Sequence, residues 1–136
     1  MARVLVLCGD LMFGSRIAAQ LQAAGEELEL LGDAAAVGAR LEGPEEQRPR
    51  VLVVDLTSGS EEGIELVAGL AGQGRAAGAG ESARLSGGAP RTLGFYSHVE
   101  ADVRERAEAA GFDLVVPRSR MAREGAQLLD DLLAGA

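Results

Sequence analysis

Four strongly apolar runs divide the chain. They cover residues 3–8, 50–56, 92–97 and 112–117, and a weaker stretch at 26–32 alternates polar and apolar residues. Continuous apolar runs are typical of strands that are buried on both faces of a parallel sheet. An alternating run is typical of a strand at the edge of a sheet. The pattern therefore predicts four buried strands and one edge strand.

Segments with helical periodicity lie between and after these runs. They cover residues 13–25, 33–43, 60–72, 99–111 and 120–135, and each carries apolar residues at spacings of three and four. Asp33 is a predicted N-cap, and Gly25 and Gly111 are predicted to end their helices. Five strands that alternate with five helices predict an α/β fold built on an open parallel sheet.

For five strands, the expected order is 2-1-3-4-5, the flavodoxin-like three-layer sandwich. This order places strand 51–55 inside the sheet and the alternating strand at an edge. A fragment of a Rossmann-type domain is the alternative, but the sequence after the first strand, CGDLMFGSR, lacks the glycine pattern G-x-G-x-x-G. Residues 72–90 are glycine-rich and predicted to form a long loop. We interpret this loop as a tolerated insertion, with a ligand lid or a partner-binding loop as alternatives.

Composition narrows the function classes. The 136 residues fit one domain, 1–136, and the formal net charge of −8 argues against a nucleic-acid surface. All 13 basic residues are arginine, which excludes a catalytic or P-loop lysine. One cysteine and one histidine exclude an internal disulfide, a cysteine-based zinc cluster and a multi-histidine metal site. The short apolar run at the N-terminus predicts no signal peptide and no membrane span, so we expect a cytoplasmic protein.

Polar residues gather where the predicted strands end. They are Asp10, Asp55, Thr57, Ser97 and Arg118. Ligands of open parallel sheets bind outside the carboxyl ends of the strands, so we expect these side chains to converge there. Carboxylates are ligands for Mg²⁺ and a guanidinium binds phosphate oxygens. The set therefore predicts a site for a divalent cation, held by Asp10 and Asp55, and for a phosphoryl group.

Each of these residues also has a structural alternative. Asp55 can bond to the amides of the loop that follows it, and Asp10 can cap the first helix. Ser97 begins the S-x-x-E pattern of a capping box, and Ser119 is a predicted N-cap of the last helix. We expect the Arg118 guanidinium to face the cleft and to pair with Asp55 or Asp10.

Cys8 and His98 are assigned structural roles. Cys8 resembles the cysteine of a phosphatase loop, but the spacing C-x5-R fails because position 14 is glycine and the first arginine is Arg16. We therefore interpret Cys8 as a small buried hydrophobic residue. His98 lies at a predicted helix start, where a surface or hydrogen-bonding role is expected.

Together, LCGDLMF, VVDLT, GFYSHV and AGFDLVVPRS resemble the receiver domain of two-component response regulators over nearly the whole chain. The combination DLMFGSRI, VVDL, GFYSHV and AGFDLVVPRS also resembles a group of receiver-like single-domain bacterial proteins. The resemblance to the receiver domain implies that Asp55 stands at the phosphoacceptor position, with Asp10 and Ser97 at the acidic and hydroxyl positions. It also implies a bacterial signalling protein that binds a protein partner through its last helix and fifth strand. A homodimer is an open alternative.

Three positions depart from the receiver pattern. Gly9-Asp10 replaces the usual acidic pair, Arg118 replaces a lysine, and Val115 stands at the position of the switch aromatic. These departures favour an atypical, non-enzymatic signalling or interaction module that lacks a resident cofactor and is not an efficient phosphoacceptor. A Mg²⁺-dependent phosphoacceptor is the first alternative. A small flavodoxin-like enzyme or nucleotide-binding protein is the second.

Overall fold

The computed structural model describes residues 4–42, 49–57, 60–76, 90–97 and 101–134. Within these ranges the strands are β1 (Val4–Leu7), β2 (Leu28–Leu31), β3 (Val51–Asp55), β4 (Arg91–Tyr96) and β5 (Leu114–Pro117). The helices are α1 (Leu11–Ala23), α2 (Ala34–Leu41), α3 (Ser60–Ala76), α4 (Ala101–Ala110) and α5 (Arg118–Ala134). Strands and helices alternate along the chain, as the apolar pattern predicted.

The five strands form one parallel sheet in the order β2-β1-β3-β4-β5. The predicted order 2-1-3-4-5 is therefore confirmed, and β3 is its central strand. Every residue of β1 and β3 is buried, whereas every residue of β2 is half-buried. The continuous runs of β1 and β3 are explained by burial on both faces, and the alternating run lies at an edge, as expected. The run 112–117 was predicted to be buried as well, but it forms β5 at the other edge of the sheet, where three of its four strand residues are half-buried.

Each face of the sheet has its own apolar core. Helices α1 and α5 cover one face, and α2, α3 and α4 cover the other. The first core contains Phe13, Ile17, Leu21, Met121 and Leu129; the second contains Val37, Val67, Val103, Ala107 and Phe112. These layers make the flavodoxin-like three-layer sandwich. No helix in the described ranges is long and apolar enough to cross a membrane.

Three predicted helix boundaries are explained by local geometry. The Asp33 carboxylate accepts a hydrogen bond from the Ala36 amide at 2.8 Å and so caps α2. Gly25 and Gly111 follow α1 and α4 with φ angles of 91° and 111°. A side chain at either position would be strained in this left-handed conformation, so glycine stops both helices.

Two predicted boundaries are wrong. Helix α3 continues through residues 72–76, which were assigned to the glycine-rich loop; residues 77–89 lie outside the described ranges. A glycine costs only about 1 kcal/mol in a helix interior, and good helix formers separate the glycines here. Ser119 lies within α5 rather than at its cap, because the chain turns into the helix at Arg118, directly after Pro117.

The Ala-Gly-x-Asp sequence before β5 has a structural role. Asp113 Oδ2 accepts hydrogen bonds from the Thr92 amide at 2.8 Å and from the Thr92 hydroxyl at 3.2 Å. The Asp113 amide donates in return to Thr92 Oγ1 at 3.0 Å. These bonds fasten the edge strand β5 to β4 at the amino ends of the strands, opposite the candidate site.

Candidate functional site

The sheet register places Cys8 next to Asp55. Leu7 of β1 pairs with Val54 of β3, so the next residue of each strand lies at the carboxyl end of the sheet, side by side. The Cys8 thiol donates to Asp55 Oδ2 at 3.2 Å and also lies 3.2 Å from the Asp10 carbonyl oxygen. Cys8 is therefore a polar partner of Asp55, which corrects its interpretation as a plain hydrophobic residue.

The Asp55 carboxylate is buried, and each of its two oxygens accepts a hydrogen bond from the same chain. Its side chain ends the central strand and is 6% exposed. Oδ1 accepts a hydrogen bond from the Thr57 amide at 2.7 Å and another from the Thr57 hydroxyl at 2.5 Å. Oδ2 accepts the Cys8 thiol. Both oxygens are thus satisfied, as the burial of a carboxylate requires.

The environment of Cys8 keeps its thiol protonated. Burial raises the pKa of Cys8 to about 12, and the hydrogen bond to Asp55 and the charge of Asp55 act in the same direction. A nucleophilic cysteine needs the opposite shift, because the thiolate is the reactive form. The thiol therefore acts as a hydrogen-bond donor to Asp55. A nucleophilic role of the kind that a phosphatase cysteine plays, already disfavoured by the failed C-x5-R spacing, has no support in this environment.

This shift predicts a loss of stability at alkaline pH. A thiol whose pKa rises on folding from 9.0 to about 12 stabilises the fold below pH 9, and that contribution is lost as the pH rises toward 12. We expect the free energy of unfolding to fall by up to about 1.4 kcal/mol per pH unit in this window. Denaturant titrations at several pH values between 9 and 12 measure the free energy of unfolding of the wild type and of Cys8→Ser, whose hydroxyl does not titrate in this range. If the free energy of unfolding falls equally steeply with pH in the two proteins, this role of Cys8 is contradicted.

The Asp10 carboxylate has three contacts within the chain. Oδ1 caps α1 by accepting hydrogen bonds from the Met12 and Phe13 amides, at 3.0 and 3.1 Å. Oδ2 lies 3.8 Å from Arg118 Nη2, with the two side chains 40% and 44% exposed. The predicted pairing of Arg118 with Asp10 is present, whereas the described contacts of Asp55 are with Cys8 and Thr57.

Aromatic rings support the guanidinium of Arg118. Its Cζ lies 4.1 Å from the centroid of the Phe13 ring, within the range of a cation–π contact. Phe13 in turn packs on Phe95 of β4, with ring centroids 5.3 Å apart. Arg118, the first residue of α5, therefore contacts the start of α1 next to the pocket. The sequence predicted that the guanidinium faces the cleft but did not predict its contact with the Phe13 ring.

Two of the other predicted residues belong to the same edge of the sheet. Thr57 contacts Asp55 directly, as described above. Ser97 follows the last residue of β4 and is half-buried. Its predicted capping box involves residues 98–100, which lie outside the described ranges. The predicted role of His98 falls in the same undescribed segment. The structure thus brings Asp10, Asp55 and Thr57 into one network with Cys8, and places Ser97 at the end of the neighbouring strand.

This pocket offers Mg²⁺ two carboxylates, and both already have partners in the chain. That ion needs near-octahedral oxygen ligands, usually one or two carboxylates with waters and phosphate oxygens. Asp10 is engaged by two amides and Arg118, and Asp55 is engaged on both oxygens. Nowhere in the described ranges do three or more His, Cys, Asp or Glu side chains form a group that could hold a metal ion. The assignment of Asp10 and Asp55 as metal ligands stays a prediction.

Comparison with known proteins identifies the fold. The sequence matches no protein-family model and no curated protein. Among solved structures, a signal receiver domain from Bermanella marisrubri aligns with 96% of this chain and 97% of its own, at 18% identity and a TM-score of 0.75. The phosphorylated cyanobacterial phytochrome response regulator RcpA aligns over 99% and 96%, at 13% identity and a TM-score of 0.72. The Mn²⁺-bound response regulator Rcp1 aligns over 98% and 94%, at 15% identity and a TM-score of 0.69.

The protein therefore has the fold of response-regulator receiver domains, which confirms the resemblance drawn from its sequence. Identities this low establish the fold alone. What the pocket does is a separate question, because one fold hosts sites of different chemistry.

Proposed function

We propose that this protein is an atypical receiver-like signalling or protein-interaction module in which Asp55 is not an efficient phosphoacceptor. It acts by contact with a protein partner and not by catalytic turnover. The observation that carries this proposal is the state of the Asp55 carboxylate. It is 6% exposed, and both of its oxygens accept hydrogen bonds from Cys8 and Thr57.

Phosphoryl transfer makes two demands that this pocket meets poorly. The attacking oxygen must lie in line with the leaving group, and cations must neutralise the charge of the phosphoryl oxygens. Here Cys8 and Thr57 already donate hydrogen bonds to the Asp55 carboxylate that would attack the phosphoryl group. Position 9 is glycine, so Asp10 alone supplies acidic charge from the loop after β1, and it caps α1. The resting arrangement therefore favours an unmodified Asp55.

Arg118 supports the same conclusion. A receiver lysine is a compact, mobile charge, whereas a guanidinium is planar and prefers stacked or forked contacts. Arg118 makes such contacts, with the Phe13 ring and with Asp10. We propose that this link between α5 and α1 holds the module in one state, so that a partner recognises it without phosphorylation. The partner surface that we propose is α5 with the neighbouring edge strand β5.

A Mg²⁺-dependent phosphoacceptor is the second candidate. Asp55 ends the central strand, beside Phe95 of β4, and Ser97 directly follows β4, two residues after Phe95. This is the arrangement that the resemblance to receivers implies. RcpA, which has the same fold, is phosphorylated, and Rcp1 binds Mn²⁺.

Titration of the ¹⁵N-labelled protein with Mg²⁺ separates these two candidates. We expect no saturable shift of the amide resonances of Gly9, Asp10 and Asp55–Thr57 in the wild type. The matched control is Gly9→Asp, which adds a carboxylate where a Cβ meets no atom within 4 Å, and this variant should respond. Saturable wild-type shifts confined to these amides would favour the phosphoacceptor.

A further inference from the structure

Helix α5 is kinked at Glu124. The backbone of this residue is non-helical, with φ −126° and ψ 16°, so the helix has a first half, 118–123, and a second half, 125–134. Kinks have identifiable causes, such as a proline or a side chain that inserts into the ladder of i→i−4 hydrogen bonds. The sequence of α5 contains no proline. An inserted side chain is therefore the cause to look for.

Gln20 of α1 is the side chain that inserts at this kink. Its Nε2 donates a hydrogen bond to the Ala122 carbonyl oxygen at 2.5 Å. In a continuous α-helix that oxygen accepts the amide of the residue four positions later, which here is Ala126. A carbonyl oxygen only accepts hydrogen bonds, so the amide nitrogen of Gln20 is the atom that must face it. Gln20 thus takes up an acceptor that belongs to the ladder of α5.

A glycine beside the kink leaves room for this insertion. Gly125 is buried, and a Cβ at this position would overlap Gln20 Oε1 and lie 3.4 Å from Gln20 Cδ. Glycine is a poor helix former, so helix propensity does not explain its presence in the middle of α5. The space that the Gln20 amide occupies does explain it.

The inserted amide makes one hydrogen bond and lacks another. Gln20 Oε1 is buried and has no hydrogen-bond partner among the described residues. A buried acceptor without a donor disfavours the inserted conformation, whereas the bond to Ala122 favours it. Because these two effects oppose each other, the side chain can withdraw as well as insert.

The first half of α5 touches α1 at two points along one face of each helix. Arg118 stacks on Phe13 and lies beside Asp10, and Ala122 is bonded by Gln20. Arg118 and Ala122 are four residues apart, and Phe13 and Gln20 are seven apart, spacings that place each pair on one side of its helix. The Gln20 contact therefore lies on the same seam as the Arg118 contact, one turn further along α5.

We propose that Gln20 is a positioning residue that holds the first half of α5 against α1 and so fixes the Arg118 guanidinium on the Phe13 ring. When Gln20 withdraws, the ladder of α5 can close, the helix straightens and the guanidinium leaves the ring. This inference rests on the proposed function, in which the Arg118 link holds the module in one state, and it names the residue that sets this state. The conformation of α5 itself does not depend on the chemistry at Asp55.

NMR of the isotope-labelled full chain tests the proposal with Gln20→Ala. The Cα shift of Glu124 reports the kink, and the shift of the Arg118 Cδ protons reports the ring current of Phe13. Without Gln20, the Glu124 shift should become helical and the Arg118 protons should lose their ring-current displacement, for which Phe13→Leu gives the reference value. The matched control is Gln22→Ala, an exposed glutamine of the same helix, which should behave like wild type.

Gly125→Ala tests the insertion by a second route. Alone, it should expel Gln20, reproduce both shift changes and lower the denaturant midpoint of unfolding, because the new Cβ and the Gln20 amide cannot share one space. Added to Gln20→Ala, it should instead raise the midpoint, because alanine is the better helix former. The double variant fills part of the space that Gln20→Ala leaves, so it also gives a folded protein on which both shifts can be measured.

Three results would overturn the proposal. They are a Glu124 that stays non-helical without Gln20, an Arg118 that keeps its ring-current displacement, and a Gly125→Ala effect on the midpoint that has the same sign with and without Gln20. Rapid phosphorylation of Asp55 in the wild type would contradict the proposed function and would leave these results unchanged, so the two failures can be told apart.

Discussion

Replacing Gly9 by aspartate and Arg118 by lysine should raise the rate at which Asp55 is phosphorylated, although Cys8 and Thr57 still hydrogen-bond to its oxygens. The first change restores a second carboxylate beside Asp10, at a position where a Cβ meets no atom within 4 Å. The second removes the planar guanidinium that stacks on Phe13 and replaces it with a compact, mobile charge. Together they supply the cation site and the charge contact that phosphoryl transfer needs.

The expected gain is large because both groups act on charge that develops during transfer. Single preorganised contacts of this kind are worth about 10²–10³-fold in rate. Incubation with a small phosphodonor and Mg²⁺, followed by intact mass, measures the rate for the variant and for the wild type. The matched control is the same variant with Asp55→Asn, which should take up no phosphoryl group. A folded variant that is no more reactive than wild type would show that these two positions do not limit the reaction.

A second large effect is expected for Gly63→Ala, which should destabilise the fold. A Cβ at position 63 would lie 2.5 Å from Val54 Cγ1, so α3 can approach the central strand this closely only with glycine here. Overpacking a core of this kind costs about 1–3 kcal/mol, and occasionally more. Val54 immediately precedes Asp55, so the close approach also fixes the end of the strand that presents the carboxylate.

Gly69 provides the control on the same helix. A Cβ at position 69 meets no atom within 4 Å, so Gly69→Ala should stabilise the protein by about 0.5–1 kcal/mol through helix propensity alone. Denaturant unfolding of the two variants should therefore shift in opposite directions from wild type. Two shifts of the same sign would mean that α3 does not pack on β3 as described.

The fold could be predicted because its determinants are local and repeated. Strands buried on both faces show as continuous apolar runs, and the half-buried β2 shows as an alternating one. Gly25 and Gly111 mark helix ends because their left-handed φ angles exclude most side chains. The end of α3 was missed because its interior glycines were interpreted as breaks, although each costs little in a helix.

The pocket could be predicted only in part, because its contacts depend on register and packing. Asp10 and Asp55 follow from their positions after apolar strands. The Cys8–Asp55 hydrogen bond depends on the pairing of Leu7 with Val54, which composition does not reveal. The sequence could have suggested this contact, because Cys8 and Asp55 both stand at the carboxyl ends of adjacent apolar strands. The Phe13 ring beneath Arg118 lies on a different helix, and spacing along the chain gives no hint of it.

The central claim is that the wild-type pocket leaves Asp55 unphosphorylated, and one measurement tests it most directly. Wild type and Asp55→Ala are incubated with a small phosphodonor and Mg²⁺, and their intact masses are followed over time. We expect neither protein to gain the mass of a phosphoryl group, because both oxygens of Asp55 are held by Thr57 and Cys8. A phosphoryl adduct that forms rapidly on the wild type and is absent from Asp55→Ala would contradict the claim and make the phosphoacceptor the better account of this protein.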